Sequence, residues 1–139
     1  MIMTTTPRPY IPDTEGLNRE FFQRAAGGIL HLQRCADCSH FRFPPRNYCA
    51  RCHSGAWDWI PSPAVGALAS WVTSHFSLDP GWVDCVPYTT AVVELDEGPR
   101  LLGAIRDIKP DDFRIGLPVA LVLERLRDDY VFFWVERRQ

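Results

Sequence analysis

Apolar and polar positions recur with a regular period along most of this chain, and the period changes near Gly27-Gly28. Leu17, Phe21 and Ala25 recur at four-residue spacing with Phe22 beside them, while Arg19, Glu20, Gln23 and Arg24 take the other positions. That spacing predicts an amphipathic helix capped by Asp13 or Thr14, running to about Ala26 and closed by the two glycines. A helix this short does not hold in isolation, so its stripe needs a surface on its own chain or on another subunit. Before it, residues 1–12 are rich in Thr and Pro and predict an extended arm, disordered alone or laid against a partner.

From residue 29 the period drops to two. Residues 29–34 predict a strand, residues 41–43 a short return strand that Pro44-Pro45 stops by removing donors, and residues 57–60 a third. Longer strands follow at 66–76, 88–95, 100–105, 119–125 and 130–135, with turn signals at 78–81, 96–99, 109–116 and Asp128-Asp129. Five antiparallel strands suit a small closed barrel, because closure removes exposed edges. The five-stranded OB-fold is the first candidate, and a small sandwich or an SH3-like barrel competes with it. The expected fold class is thus mainly β, in three parts: arm and helix over 1–28, a ribbon over 29–60 and a barrel over 61–139.

Composition narrows the function classes. The 139 residues are 46% hydrophobic and 23% charged, as in a globular protein and unlike a disordered chain. A net charge of −2 counts against a dedicated nucleic-acid binder, which carries a basic surplus. The first ten residues lack the apolar run of a signal peptide, and no later stretch is long enough to cross a bilayer. The expectation is a cytoplasmic protein with reduced cysteines. Gly-rich phosphate loops, Gly-x-Ser-x-Gly elbows and His-Glu-x-x-His helices do not occur.

The chemistry-bearing stretch is Cys35-Ala36-Asp37-Cys38, ten residues, then Cys49-Ala50-Arg51-Cys52. Two Cys-x-x-Cys pairs offer four soft thiolates, the donor set of a structural tetrahedral Zn²⁺. Two disulfides or a redox pair are the alternatives, but a redox motif needs a single pair ahead of a helix in a βαβ pattern. His40 and His53 lie next to the cysteines and are read as neighbours, since four thiolates already suffice. Cys85 stands alone and is read as a small packed side chain.

Several segments together resemble a known family: Phe21-Phe22 before Gly27-Gly28, the run from Leu32 to Cys38, Phe43-Pro44-Pro45-Arg46, Cys49-Ala50-Arg51-Cys52, Val86-Pro87-Tyr88, the run from Val93 to Gly98, and Ile115-Gly116-Leu117-Pro118-Val119. Their order resembles the acyl-CoA-associated zinc-ribbon/OB-fold proteins, long classed as a domain of unknown function, over nearly the whole chain from about residue 15. The resemblance implies an N-terminal helical segment, a rubredoxin-like zinc ribbon and a C-terminal OB-fold. It further implies a small companion of thiolase-superfamily enzymes: thiolases, hydroxymethylglutaryl-CoA synthase-like enzymes, acyltransferases or the retro-aldolases of steroid side-chain breakdown. The family pattern places glycine after each cysteine pair, where Ser39 and His53 stand here, with Gly55 two residues late.

Three functions compete. In the first, the chain is a non-catalytic accessory subunit: structural Zn²⁺ builds the ribbon, ribbon and helix dock on a thiolase-like partner in a heterotetramer, and the barrel helps enclose an acyl-CoA channel shared with that partner. The five tryptophans are in part suited to interface cores, and Trp82, in a loop with Pro80 and Gly81, is the best contact candidate. In the second, Arg42, Arg46 and Arg51 give the ribbon a basic surface for single-stranded nucleic acid, although the barrel carries many carboxylates where a charged groove is needed. The same arginines can instead meet a partner or a CoA phosphate, or simply be solvated. In the third, His75 with Glu94 or Asp96 forms an acid–base pair of an independent enzyme, but a four-cysteine site offers zinc no open position and nothing in the spacing joins those residues. The first is the reading adopted.

Overall fold

The computed structural model describes residues 7–139; residues 1–6 of the expected arm lie outside that range. From residue 7 the arm lies on the chain's own barrel. The Arg8 N–H donates to the Gly81 carbonyl at 3.0 Å, and Arg127 Nη2 donates to the Pro12 carbonyl at 2.9 Å.

Helix α1 (Gly16–Ala26) follows the predicted stripe and buries Phe21 and Ala25. Its cap differs from expectation. Glu15 occupies the N-cap position without a side-chain bond, and the Thr14 hydroxyl donates instead to Asp129 at 2.9 Å. Asp129 is also paired with Arg127, and a charged acceptor outcompetes the helix end for that hydroxyl.

Strands β1 (His31–Cys35), β2 (Phe41–Arg42) and β3 (Trp57–Pro61) form an antiparallel sheet in the order β2-β1-β3. Strands β4 (Val65–Ser74), β5 (Tyr88–Leu95), β6 (Arg100–Ile105), β7 (Pro118–Arg127) and β8 (Tyr130–Arg137) close into a barrel in the order β4-β5-β6-β8-β7. The fold is therefore mainly β, with one N-terminal helix, a cysteine-bearing ribbon and a five-stranded OB-fold. One expectation fails. β6 and β8 run parallel, with Ala104 beside Trp134 and Ile105 beside Val135. After β6 the chain crosses to pair β7 with β4, so the hairpin that returns from β7 brings β8 alongside β6 in the same direction.

Alternation along the barrel strands sends Leu68, Ala91, Val93, Leu95, Leu101, Val119, Leu121 and Val135 inward. That core is continuous with the ribbon. The Phe21 ring lies 5.1 Å from Phe43 and 6.4 Å from Trp59 on the ribbon side, and 6.3 Å from Phe133 of the barrel. One helix residue therefore joins all three parts, which answers the need of the helix stripe for a surface within its own chain.

Gly66 allows β4 to pair with β5 and β7 at once, opposite Leu95 and Val119. A Cβ there would stand 2.0 Å from the Glu94 carbonyl oxygen and 2.7 Å from the Leu95 Cα. Both are backbone atoms, so the strands themselves must move. Gly66→Ala is expected to destabilise the protein by about 2–3 kcal/mol, read as a lowered urea midpoint; an unchanged midpoint would show that the barrel does not depend on this approach.

Candidate metal centre and surrounding clefts

The two cysteine pairs sit on two turns with the same hydrogen-bond pattern. In the first, the Cys35 N–H donates to the His40 carbonyl at 2.9 Å and the Ser39 N–H to the Cys35 carbonyl at 3.0 Å. In the second, the Cys49 N–H donates to the Ser54 carbonyl at 2.9 Å and the His53 N–H to the Cys49 carbonyl at 2.8 Å. The residue after each pair takes a left-handed conformation, φ 65° at Ser39 and 64° at His53. The turn is kept although glycine, the residue that adopts it without strain, is absent from both places. The Ser54 hydroxyl donates to the Asp37 carboxylate, tying one turn to the other.

These turns bring the sulfurs of Cys35, Cys38, Cys49 and Cys52 within 4.8 Å of one another. Cys35 and Cys52 Sγ are 3.5 Å apart, and Cys38 and Cys49 Sγ are 3.6 Å apart. Zinc–sulfur bonds of about 2.3 Å at tetrahedral angles set edges of about 3.8 Å, so the tetrad fits the ion. Neither His40 nor His53 belongs to the group.

The first thiol of each pair is acidified and the second is not. The Cys52 and Arg51 N–H groups hold the Cys49 thiol down at about 6, and the Cys38 and Asp37 N–H groups lower that of Cys35. For Cys52 the Ser54 N–H pulls downward, but the Cys35 sulfur and burial outweigh it and push the thiol up to about 12. Cys38 is likewise raised, against its bond from the His40 N–H, by burial and the Cys49 sulfur. Four crowded sulfurs resist full ionisation by themselves, and a divalent cation among them removes that resistance.

The arginines read as one basic surface divide. Arg46 and Arg51 are exposed, but Arg42 is only 7% exposed. Arg42 Nε donates to Gln33 Oε1 at 3.0 Å, and Nη2 donates to the Arg46 carbonyl at 2.8 Å. Gln33 Oε1 also accepts from the Arg46 N–H at 2.7 Å, and Nε2 donates to the Arg46 carbonyl at 3.1 Å. Gln33 was missed from the sequence because strand alternation placed it on a solvent face; it is buried beside Leu32.

Trp82 is buried, its ring 4.7 Å from Tyr88 and 5.7 Å from Phe132. It also lines an apolar cleft of about 280 Å³ on the outer wall of the barrel, with Tyr88, Leu102, Tyr130 and Phe132. A second cleft, of about 360 Å³, separates the ribbon from the turn between β5 and β6. Cys85 packs beside Trp82 and Trp134, and burial raises its thiol, so it is not poised as a nucleophile. Glu94 is paired with Arg100 and Asp96 with Arg138, while His75 is exposed beyond the end of β4. No helix among the described residues is long and apolar enough to cross a membrane.

Two family models cover most of the chain. Residues 22–58 match the ChsH2 rubredoxin-like zinc ribbon domain, and residues 59–124 match the ChsH2 C-terminal OB-fold domain. A probable enoyl-CoA hydratase alpha subunit of Thermomonospora curvata is 37% identical over 115 residues, covering 83% of this chain and 34% of that protein, so the chain spans about a third of its length. A DUF35 domain-containing scaffold protein of Methanocaldococcus jannaschii is 32% identical over 97 residues, covering 69% of this chain and 68% of that protein. Among solved structures, a chain of the Ltp2-ChsH2(DUF35) aldolase aligns with a TM-score of 0.80 at 31% identity, covering 91% of this chain and 98% of that one.

With the ribbon assigned as a zinc ribbon, its strained turns give a test. Replacing Ser39 or His53 by glycine relieves the left-handed strain, partly offset by the flexibility of glycine in the unfolded chain. Each of Ser39→Gly and His53→Gly is expected to stabilise the ribbon by about 0.5–1 kcal/mol, seen as slower zinc release to a chelator. Faster release from both variants would show that those side chains support the turns.

Proposed function

The chain belongs to the DUF35 family of zinc-ribbon and OB-fold proteins, and we propose that it is a non-catalytic, zinc-binding subunit of a thiolase-superfamily complex acting on acyl-CoA. The observation that carries this reading is the alignment of nearly the whole chain with a chain of the Ltp2-ChsH2(DUF35) aldolase. A relative of this chain is itself called a scaffold protein, and another is named as one subunit of an enoyl-CoA hydratase.

The chemistry of the residues supports a structural role. Four thiolates complete the coordination of zinc, so the metal offers no position for substrate or water. Its contribution is to folding: structural zinc supplies on the order of 10–16 kcal/mol in small zinc peptides, far beyond what a ribbon of this size buries by itself. In this reading the segments divide the work, with 1–28 and 29–60 docking on the partner and 61–139 helping to form the acyl-CoA channel. Arg46, Arg51 and Trp82 are surface or cleft contacts for partner or ligand, and Arg42 is the buried support behind Arg46. The partner supplies the carbon–carbon bond cleavage or formation, with two copies of each chain around a partner dimer.

The test is co-expression of the tagged chain with a thiolase-superfamily protein from the same genome. The expected result is a stable complex with two copies of each chain, measured by light scattering, and acyl-CoA turnover only when the partner is present. Cys49→Ser is expected to lose zinc and release the partner together. A zinc-loaded monomer with tight affinity for single-stranded DNA and no thiolase-like partner would overturn the proposal.

A further inference from the structure

The barrel wall has an opening beside its one parallel ladder. β6 and β8 are paired only at Ala104 with Trp134 and at Ile105 with Val135. The apolar cleft of about 280 Å³ lies ahead of those pairs, lined by residues 102–104 of β6 and 130–133 of β8. Rings close it on both flanks. Trp82 packs against Tyr88 and Phe132 on one flank, and Phe22 of α1 lies 4.7 Å from Tyr130 on the other. These walls hold one another in place, so the cleft is formed before anything enters it. Tyr88, Thr90, Tyr130 and Phe132 are half-buried and Leu102 is exposed, so each presents surface that an occupant can reach.

Three properties of the lining restrict the occupant. The first is charge: no Asp, Glu, Lys, Arg or His lines the cleft. A carboxylate, phosphate or ammonium entering it would lose hydration without gaining a counter-ion. The second is polarity, which three hydroxyls supply, on Tyr88, Thr90 and Tyr130. Burial raises the Tyr130 hydroxyl, which therefore stays a neutral donor at physiological pH. Such groups suit a neutral carbonyl. The third is size: at ~30 Å³ for each water-sized group, the cleft holds about nine non-hydrogen atoms. Position agrees with a ligand site. The second and third barrel strands, β5 and β6, form the face on which OB-folds bind ligands, and those that take single-stranded nucleic acid line it with cations that are missing here.

We infer that this cleft receives the uncharged acyl end of a thioester, as a hydrocarbon of medium length that enters beside Leu102 and lies against the rings of Trp82, Tyr130 and Phe132. A free fatty acid fails the charge requirement, whereas the same chain joined through a neutral thioester carbonyl meets it. The inference rests on the accessory-subunit reading for the thioester, and goes beyond it in placing the acyl group and limiting its size.

The probe is S-octanoyl-N-acetylcysteamine, an uncharged thioester without the nucleotide of CoA, titrated into the ¹⁵N-labelled, zinc-loaded full chain. Saturable shifts are expected at the Gly103 and Ala104 amides and at the Trp82 indole N–H signal. Octanoate, with the same chain and a charge, and S-butanoyl-N-acetylcysteamine, with a shorter chain, are each expected to bind at least tenfold more weakly. Leu102→Asp, at the exposed rim, is expected to weaken the octanoyl probe at least fivefold. Ile115→Asp, equally exposed but in the turn before β7 and outside the cleft, is expected to leave it unchanged. Absence of saturable shifts, octanoate or the butanoyl thioester binding as tightly as the octanoyl thioester, or an equal response of the two variants would overturn the inference. So would shifts of these signals only on adding a thiolase-superfamily protein with every thioester silent, which would give the cleft to a partner side chain. The two proposals fail separately. If the thioester binds but no thiolase-superfamily protein co-purifies, the acyl cleft stands and the subunit role falls. If the complex turns over octanoyl-CoA with a KM unchanged by Leu102→Asp, the subunit role stands and the acyl cleft falls.

Discussion

Four sulfurs within 4.8 Å of one another cannot all carry charge unless a cation stands among them, and the geometry of the ribbon follows from that constraint. Backbone N–H groups lower the first thiol of each pair, at Cys35 and Cys49, while crowding and burial raise the second, at Cys38 and Cys52. The turns thus prepare half of the charge, and the metal secures the rest. Cys35 is also the last residue of β1, so fixing the sulfur fixes the end of the central ribbon strand.

From that strand the order spreads in two directions. Leu32 enters the core shared with the barrel, where Phe21 touches rings from the ribbon and from β8. Gln33, its neighbour, is buried on the other side and holds Arg42 and the backbone of Arg46. Metal, apolar core and polar network therefore all meet on β1. Loss of zinc would loosen the cleft as well as the knuckles, since Arg42 is positioned by a residue two places from a ligand.

Much of this was legible in the residues. Strands β5 and β6 fall on the predicted spans, because unbroken alternation between clear turn signals fixes both ends. The tetrad was legible because chemistry restricts what two Cys-x-x-Cys pairs can be. What escaped were features decided by distant neighbours. Thr14 looked like a cap, but Asp129, far along the chain, claims its hydroxyl. The parallel pairing of β6 with β8 depends on barrel closure, which no local pattern encodes. Arg42 looked like a surface charge because arginine usually is one, and its burial depends on Gln33 lying opposite it across the β1–β2 ladder.

The distribution of charge separates support from contact. The two barrel carboxylates that resembled candidates for acid–base work are engaged by arginines, Glu94 by Arg100 and Asp96 by Arg138. Two clefts stand apart from these ion pairs: an apolar one beside Trp82, bordered by a 62%-exposed Leu102, and a polar one between the ribbon and the β5–β6 turn. Under the proposed function, an apolar cleft of this kind is surface left for a partner or ligand. In the proposed subunit role the rigidity supplied by zinc has a reason: a docking surface that is preorganised loses less entropy on binding.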